Sequence, residues 1–194
     1  MLLSIPSILA LTYFHLGSYE ETVLLFCLNW MYNDLGGSDE DFVTRNLIIG
    51  AAYVLYGSGA LRVAAAANAE GHTMNAMGYA WSGVVGAIIF TTMQVQDLKD
   101  QEGDRSRNRK TAPLILGDLF ARWTVAIAIV GWSIFCPIFW RLTNVFAIIP
   151  LSLGLVVAVR VLCIRCVDAD RITWKLWSYW LALIYAFPVV KTRC

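Results

Sequence analysis

Long apolar runs, separated by short polar connections, set the pattern of this chain. Runs able to span or nearly span a bilayer cover Leu2–Leu16, Tyr19–Tyr32, Asn46–Ala67, Asn75–Gln96, Leu119–Trp140, Asn144–Ile164 and Ile172–Val190. The last five are about 19–22 residues each, close to the roughly 20 that a membrane-crossing helix needs. Each predicts a helix, because a segment in hydrocarbon must satisfy its own backbone hydrogen bonds. The expected fold is all-α: a polytopic transmembrane bundle of about seven helices, built as a single domain over residues 1–194. No repeat, linker or low-complexity tract divides it. Gly57, Ser58, Gly59, Gly83 and Gly86 are small enough to let neighbouring helices approach closely. Met1–Leu16 has no basic flank and no small-residue cleavage site, so it reads as a membrane helix rather than a signal peptide.

Composition agrees with this pattern. Of 194 residues, 58% are hydrophobic and 15% charged, and the mean hydropathy is +0.60. Soluble domains carry about 45–50% apolar and about 25% charged residues. Eight Trp and eight Tyr suit repeated crossings of the membrane–water interface. The net charge of +1 does not identify a partner, and no nucleic-acid partner is expected. Cys27, Cys136, Cys163, Cys166 and Cys194 do not make a disulfide framework. Cys163 and Cys166 have metal or redox spacing but lack a second pair, and read as packing cysteines at a helix end.

The charges are unevenly placed. The connection Gln96–Trp123 holds Lys99, Arg105, Arg107, Arg109, Lys110 and Arg122, which predicts that it faces the cytoplasm. Alternation of the spans then puts Asn33–Arg45 and Arg165–Arg171 on that same face, and the short connections Glu70–Thr73 and Arg141–Thr143 on the other. Arg62 and Arg160 lie near span ends, where snorkelling to the interface is expected.

The chemistry concentrates in one stretch. Asp97, Asp100 and Asp104 are spaced i, i+3, i+7, and on a helix continuing from the preceding span they would share an arc of about 60°. Such carboxylates repel unless a hard cation sits among them, and Mg²⁺ takes oxygen ligands of this kind together with phosphates and water. Lys99, Arg105, Arg107, Arg109 and Lys110 would neutralise a departing diphosphate. A solvated loop of mixed charge is the bland alternative for any such run.

The string Asp97-Leu-x-Asp100-x-Glu102-Gly103-Asp104-Arg105, followed by Arg109-Lys110-Thr111-x-Pro113, resembles the second aspartate-rich motif of the UbiA superfamily of intramembrane prenyltransferases. The similarity is to the branch with chlorophyll synthase, homogentisate and geranylgeranylglyceryl-phosphate prenyltransferases and many fungal relatives. The resemblance implies that Asp97, Asp100 and Asp104 are catalytic metal ligands for Mg²⁺, with Lys99, Arg105, Arg109 and Lys110 binding the substrate diphosphate. It implies metal-assisted ionisation of an isoprenoid diphosphate and transfer of the prenyl group to a small, aromatic acceptor within the membrane. The alternatives are a UbiA-type terpene cyclase, in which the chain's own double bond attacks the cation, and a non-catalytic membrane relative. Tyr53, Tyr56, Tyr79, Trp81 and Phe90 offer aromatic faces in the adjoining spans, where packing or interface anchoring is the ordinary role.

The first aspartate-rich motif of the family is matched less well. Asn33, Asp34, Asp39 and Asp41 form an acidic second cluster, but Phe42-Val-Thr-Arg45-Asn46 comes next in place of Asn-Lys-Pro-x-Arg. A Gly-Gly turn flanked by Asp is also what a tight loop looks like. Placing the span before Asp97 as the sixth family helix makes the chain correspond to helices three to nine, without the first two helices and the first motif. A chain so composed is expected to be catalytically impaired. Transporters carry ionisable groups mid-membrane and interrupted helices, and this pattern does not suit one.

Overall fold

The computed structural model describes residues 4–67, 75–142 and 145–193. The connection Glu70–Thr73, the residues Leu2, Leu3, His72, Thr143 and Asn144, and Cys194 lie outside the described residues. Among the described residues the chain is helical throughout, without strands, and each predicted apolar run forms helix. In chain order the elements are α1 (Ser4–Leu11), a π-helical turn (Thr12–Leu16), α2 (Tyr19–Asn33), α3 (Phe42–Ala67), α4 (Ala76–Thr92) and a 3₁₀ turn (Met93–Gln96). Then come α5 (Gln101–Ser106), α6 (Ala112–Leu116), α7 (Asp118–Phe139), α8 (Val145–Cys163), α9 (Val167–Tyr185) and α10 (Phe187–Arg193).

Four stretches are long and apolar enough to cross a membrane: Phe42–Ala64, Ala76–Gln96, Asp118–Phe139 and Phe146–Cys163. Their outer faces expose Leu47 and Tyr56 on α3, Ile127 and Ile138 on α7, and Ile148 and Val159 on α8. Side chains of this kind are at rest against lipid and costly against water. The chain is an integral membrane protein. The last apolar segment departs from expectation: its helix begins at Val167, not Ile172, and breaks at Ala186 before α10.

The contacts divide the chain into two units, Met1–Phe90 and Thr91–Cys194. In the first, the π-helical turn ends at Gly17, whose φ of 65° is left-handed backbone that glycine adopts without strain. α3 and α4 approach closely at Gly50 and Gly86, where a Cβ on Gly50 would stand 3.0 Å from the Gly86 carbonyl oxygen. Of the small residues expected at helix contacts, Gly86 faces α3, Gly57 faces Ser82 on α4 and Gly59 faces Glu21 on α2, whereas a Cβ on Gly83 would meet nothing within 4 Å. Arg62 does not simply snorkel. Its Nε lies 2.9 Å from Glu21 Oε1 and its Nη1 3.4 Å from Glu20 Oε2, while its Nη2 donates to the Tyr79 hydroxyl at 3.5 Å. Opposite charges within reach remove the need to leave the bundle.

The second unit is built on α7, α8 and α9, packed around Val125, Ile129, Val157, Val161, Trp180 and Ile184. Gly154 of α8 admits the Trp180 Nε1–H···Oγ Ser133 hydrogen bond of 2.8 Å, because a Cβ there would run into Ser133 Oγ. Two more indoles fix the start of this unit: Trp132 Nε1 donates to Thr91 Oγ1 at 2.9 Å and Trp177 Nε1 to Thr92 Oγ1 at 3.1 Å. Arg160 is half-buried and has partners on α9, donating to Thr173 Oγ1 at 3.3 Å and to the Ala169 carbonyl at 3.5 Å. Cys163 closes α8 and Cys166 precedes α9, and both thiols are free and exposed.

Candidate diphosphate site

The acidic motif does not continue the preceding helix as one straight rod. After Thr92 the chain tightens into the 3₁₀ turn, with the Asp97 N–H donating to Gln94 O at 3.1 Å and the Asp100 N–H to Asp97 O at 3.1 Å. Such i→i+3 bonds add a different rotation per residue from the α-helix and redirect the chain beyond the turn. Gln94 is drawn inward here, donating to Thr124 Oγ1 at 2.9 Å. The chain then restarts as α5. This corrects the expectation of three carboxylates on one helical face. Asp97 and Asp104 are each 3% exposed, whereas the Asp100 side chain is 50% exposed and pairs with Arg107 Nη2 at 3.5 Å. Among the described residues, no three His, Cys, Asp or Glu side chains come together closely enough to hold a metal ion.

Asp104 is held by a tight return of the chain. Asn108 takes a left-handed conformation, φ 54°, which Asn tolerates better than most residues. The chain therefore doubles back, so that the Arg109 N–H donates to the Asp104 carbonyl at 3.0 Å. The same fold of the backbone sets Arg109 Nη1 3.5 Å from Asp104 Oδ1. Gly103 sits where a Cβ would collide with the Asp100 carboxylate. Lys99 lies over the ring of Trp174 on α9, 5.2 Å from its centroid, a cation–π contact. Arg105 and Lys110 are exposed.

One polar atom of the motif lacks a partner. Thr111 is 1% exposed, and its Oγ1 is buried without a hydrogen bond. An orphaned buried hydroxyl is uncommon and costly unless a ligand or water meets it. Asp97, Asp104 and Thr111 each bury a side chain that offers oxygen donors only. That chemistry fits Mg²⁺, which commonly uses one or two carboxylates plus substrate phosphates and water.

The second acidic cluster lies in the first unit. Asp41 caps α3: its Oδ1 accepts from the N–H groups of Val43 and Thr44 at 2.8 and 3.1 Å, and its Oδ2 from Thr44 Oγ1 at 2.7 Å. Asn33 Nδ2 donates to Asn29 Oδ1 at 2.6 Å. Asp34 ends α2, and Asp39 comes after the Gly36 turn, whose φ is 77°. Of the aromatic candidates, Trp81 is buried, Tyr53 and Phe90 are half-buried, and Tyr56 and Tyr79 are exposed on their helices.

Arg122 is the residue whose place the sequence does not reveal. By pattern it is one basic residue of the motif connection, yet its side chain is 2% exposed. Its Nε donates to both carboxylate oxygens of Asp118, at 2.9 and 2.8 Å. Its Nη1 and Nη2 meet Asp170 Oδ1 and Oδ2 at 2.8 and 2.6 Å, and Nη1 also donates to the Val161 carbonyl at 3.0 Å. Gln101 Nε2, in turn, donates to Asp118 Oδ1 at 2.7 Å. The spacing Asp118–Arg122, i to i+4 on a helix, is the one signal of this cluster that the sequence carries.

The profile of the UbiA prenyltransferase family matches residues 1–185. The chain is 32% identical over 114 residues to a diterpene cyclase of Hericium erinaceus, covering 56% of this chain and 35% of that protein. It is 28% identical over 111 residues to the fumagillin β-trans-bergamotene synthase of Aspergillus fumigatus, covering 53% and 35%. Over 189 residues it is 28% identical to the somaliensene A/B synthase of Streptomyces somaliensis, covering 92% of this chain and 59% of that protein. No solved structure matches. The chain thus spans between 35% and 59% of the lengths of these relatives. With the motif Asp97–Pro113 in place after a membrane-length helix and the family profile running almost end to end, the chain belongs to the UbiA prenyltransferase family.

Proposed function

We propose that this chain binds an isoprenoid diphosphate with Mg²⁺ at Asp97 and Asp104 and belongs to an enzyme that ionises it for cyclisation into a terpene. The observation that carries the reading is the pair of buried carboxylates, accompanied by the unpartnered Thr111 hydroxyl and flanked by Lys99, Arg105, Arg109 and Lys110. Two carboxylates kept under cover, Asp104 among them paired with Arg109, in a segment rich in cations are suited to an ionic ligand. The bound metal supplies electrostatic neutralisation of the diphosphate oxygens. Asp97 and Asp104 hold the ligand, with Arg109 orienting Asp104, while Arg105 and Lys110 meet the negative charge of the leaving group. Asp100, half exposed and paired with Arg107, is the most exposed of the three carboxylates.

The reaction is heterolysis of the allylic C–O bond. The electron pair leaves with the bridging oxygen as pyrophosphate. A double bond of the same chain closes on the cation, and loss of a proton gives a neutral hydrocarbon. The names of the three relatives, all cyclases or terpene synthases, favour this ending over attack by a separate acceptor. Transfer to a small aromatic acceptor is the second reading, because the motif resembles that of acceptor-dependent members of the family. The basic residues of the motif connection favour a cytoplasmic face for the site.

The test is product analysis of the protein in lipid nanodiscs with Mg²⁺ and geranylgeranyl or farnesyl diphosphate, with and without an aromatic acceptor. A hydrocarbon formed without acceptor supports cyclisation. A prenylated adduct that needs the acceptor supports transfer instead. Neither product, together with no Mg²⁺-dependent retention of diphosphate, contradicts both.

A further inference from the structure

Arg122 is buried with five N–H donors to satisfy: Nη1 and Nη2 meet Asp170, and Nη1 also meets the Val161 carbonyl. Its Nε–H is met by a second carboxylate, Asp118, whose side chain is partly exposed and would be solvated without it. Asp118 then uses Oδ1 to accept the side-chain N–H of Gln101, the first residue of α5. α5 is the helix that carries Asp104, three positions later.

We propose that Gln101, Asp118 and Arg122 form a positioning tether that fixes the motif helix α5, and with it the Asp104 carboxylate, onto the α7–α9 framework. α5 has six residues, too few for a helix to hold its own shape and orientation without anchoring. Its far end is turned by Asn108 into the Asp104–Arg109 pairing, which is internal to the motif. Gln101 anchors the near end. The framework side is rigid because Arg122 is bonded to α8 through Val161 and to α9 through Asp170. The three tether residues stand outside the metal and diphosphate ligands of the proposed site and act through Asp104. Groups that orient metal ligands typically change affinity by about 10–100-fold when removed.

The tether rests on the reading of Asp104 as a diphosphate–Mg²⁺ ligand. Its test is the Mg²⁺ concentration giving half-maximal binding of inorganic pyrophosphate to the full chain in nanodiscs, read by calorimetry beside the thermal midpoint. Gln101→Leu and Gln101→Glu, the second placing like charge against Asp118, raise that concentration by about 10-fold. The thermal midpoint stays within about 2 °C, since one partly exposed bond is lost. Gln101→Lys, which keeps a donor facing Asp118, restores the wild-type Mg²⁺ dependence. Unchanged Mg²⁺ dependence in Gln101→Leu and Gln101→Glu, with binding still lost in Asp104→Asn, overturns the tether and leaves the functional reading standing. Equal weakening in all three Gln101 variants, in step with lowered thermal midpoints, also overturns it. Wild-type protein that shows no Mg²⁺-dependent binding overturns the functional reading, and the tether with it.

Discussion

Arg122 grips Asp170 in a two-pronged pair, Nη1 to Oδ1 at 2.8 Å and Nη2 to Oδ2 at 2.6 Å, with both side chains buried between α7 and α9. Parallel N–H···O bonds of this kind are the strongest form of side-chain pairing. Asp170→Ala takes away the two-pronged pair but leaves Asp118 at Nε, so it is expected to destabilise the second unit by about 1–3 kcal/mol. Exchanging Arg122 for Met and Asp170 for Leu together should recover much of that loss, because no fully buried charge remains alone: Asp118 is partly exposed and keeps Gln101. Unfolding by SDS in mixed micelles measures both variants on one scale.

Gly154 makes a sharper packing prediction. A Cβ there would run into Ser133 Oγ and stand 3.0 Å from Trp180 Nε1, the two atoms of a buried hydrogen bond. Gly154→Ala should cost about 1–3 kcal/mol, as overpacking does in a close-packed core. Gly131, also helical, has nothing within 4 Å of its missing Cβ. Gly131→Ala should therefore be neutral or stabilising by up to about 1 kcal/mol. The same unfolding assay separates them.

Asn108 carries the return that brings Arg109 back to Asp104. A β-branched residue resists positive φ, so Asn108→Val should cost about 1–2 kcal/mol locally, while Asn108→Gly should be tolerated. Limited trypsin digestion reads this directly. Cleavage after Arg107 should be about 5–30 times faster in Asn108→Val and unchanged in Asn108→Gly.

The apolar pattern reveals the helices but not their pairings. Runs such as Asn46–Ala67 and Leu119–Trp140 correspond to α3 and α7 nearly end for end, since hydrocarbon leaves the backbone one choice. The start of α9 is hidden because Asp168, Asp170 and Arg171 look like a polar connection. Asp170 enters the interior only with Arg122, 48 residues earlier, and periodicity carries no information about such distant pairs. Arg62 and Arg160 depart from simple snorkelling for the same reason: their partners come from other helices. The motif is recognisable from residue types in order, yet its shape is not. Spacing i, i+3, i+7 implies one face only if the helix is continuous, and the non-helical turn at residues 97–100, before α5 starts at Gln101, breaks that condition.

Asp104 as a ligand of diphosphate-bound Mg²⁺ is open to calorimetric titration with inorganic pyrophosphate. The wild-type chain in nanodiscs should bind with Mg²⁺ and not with EDTA, and Asp104→Asn should weaken that binding by at least about 10-fold at unchanged thermal midpoint. Equal affinity in the two proteins, or binding that ignores EDTA, would contradict that role.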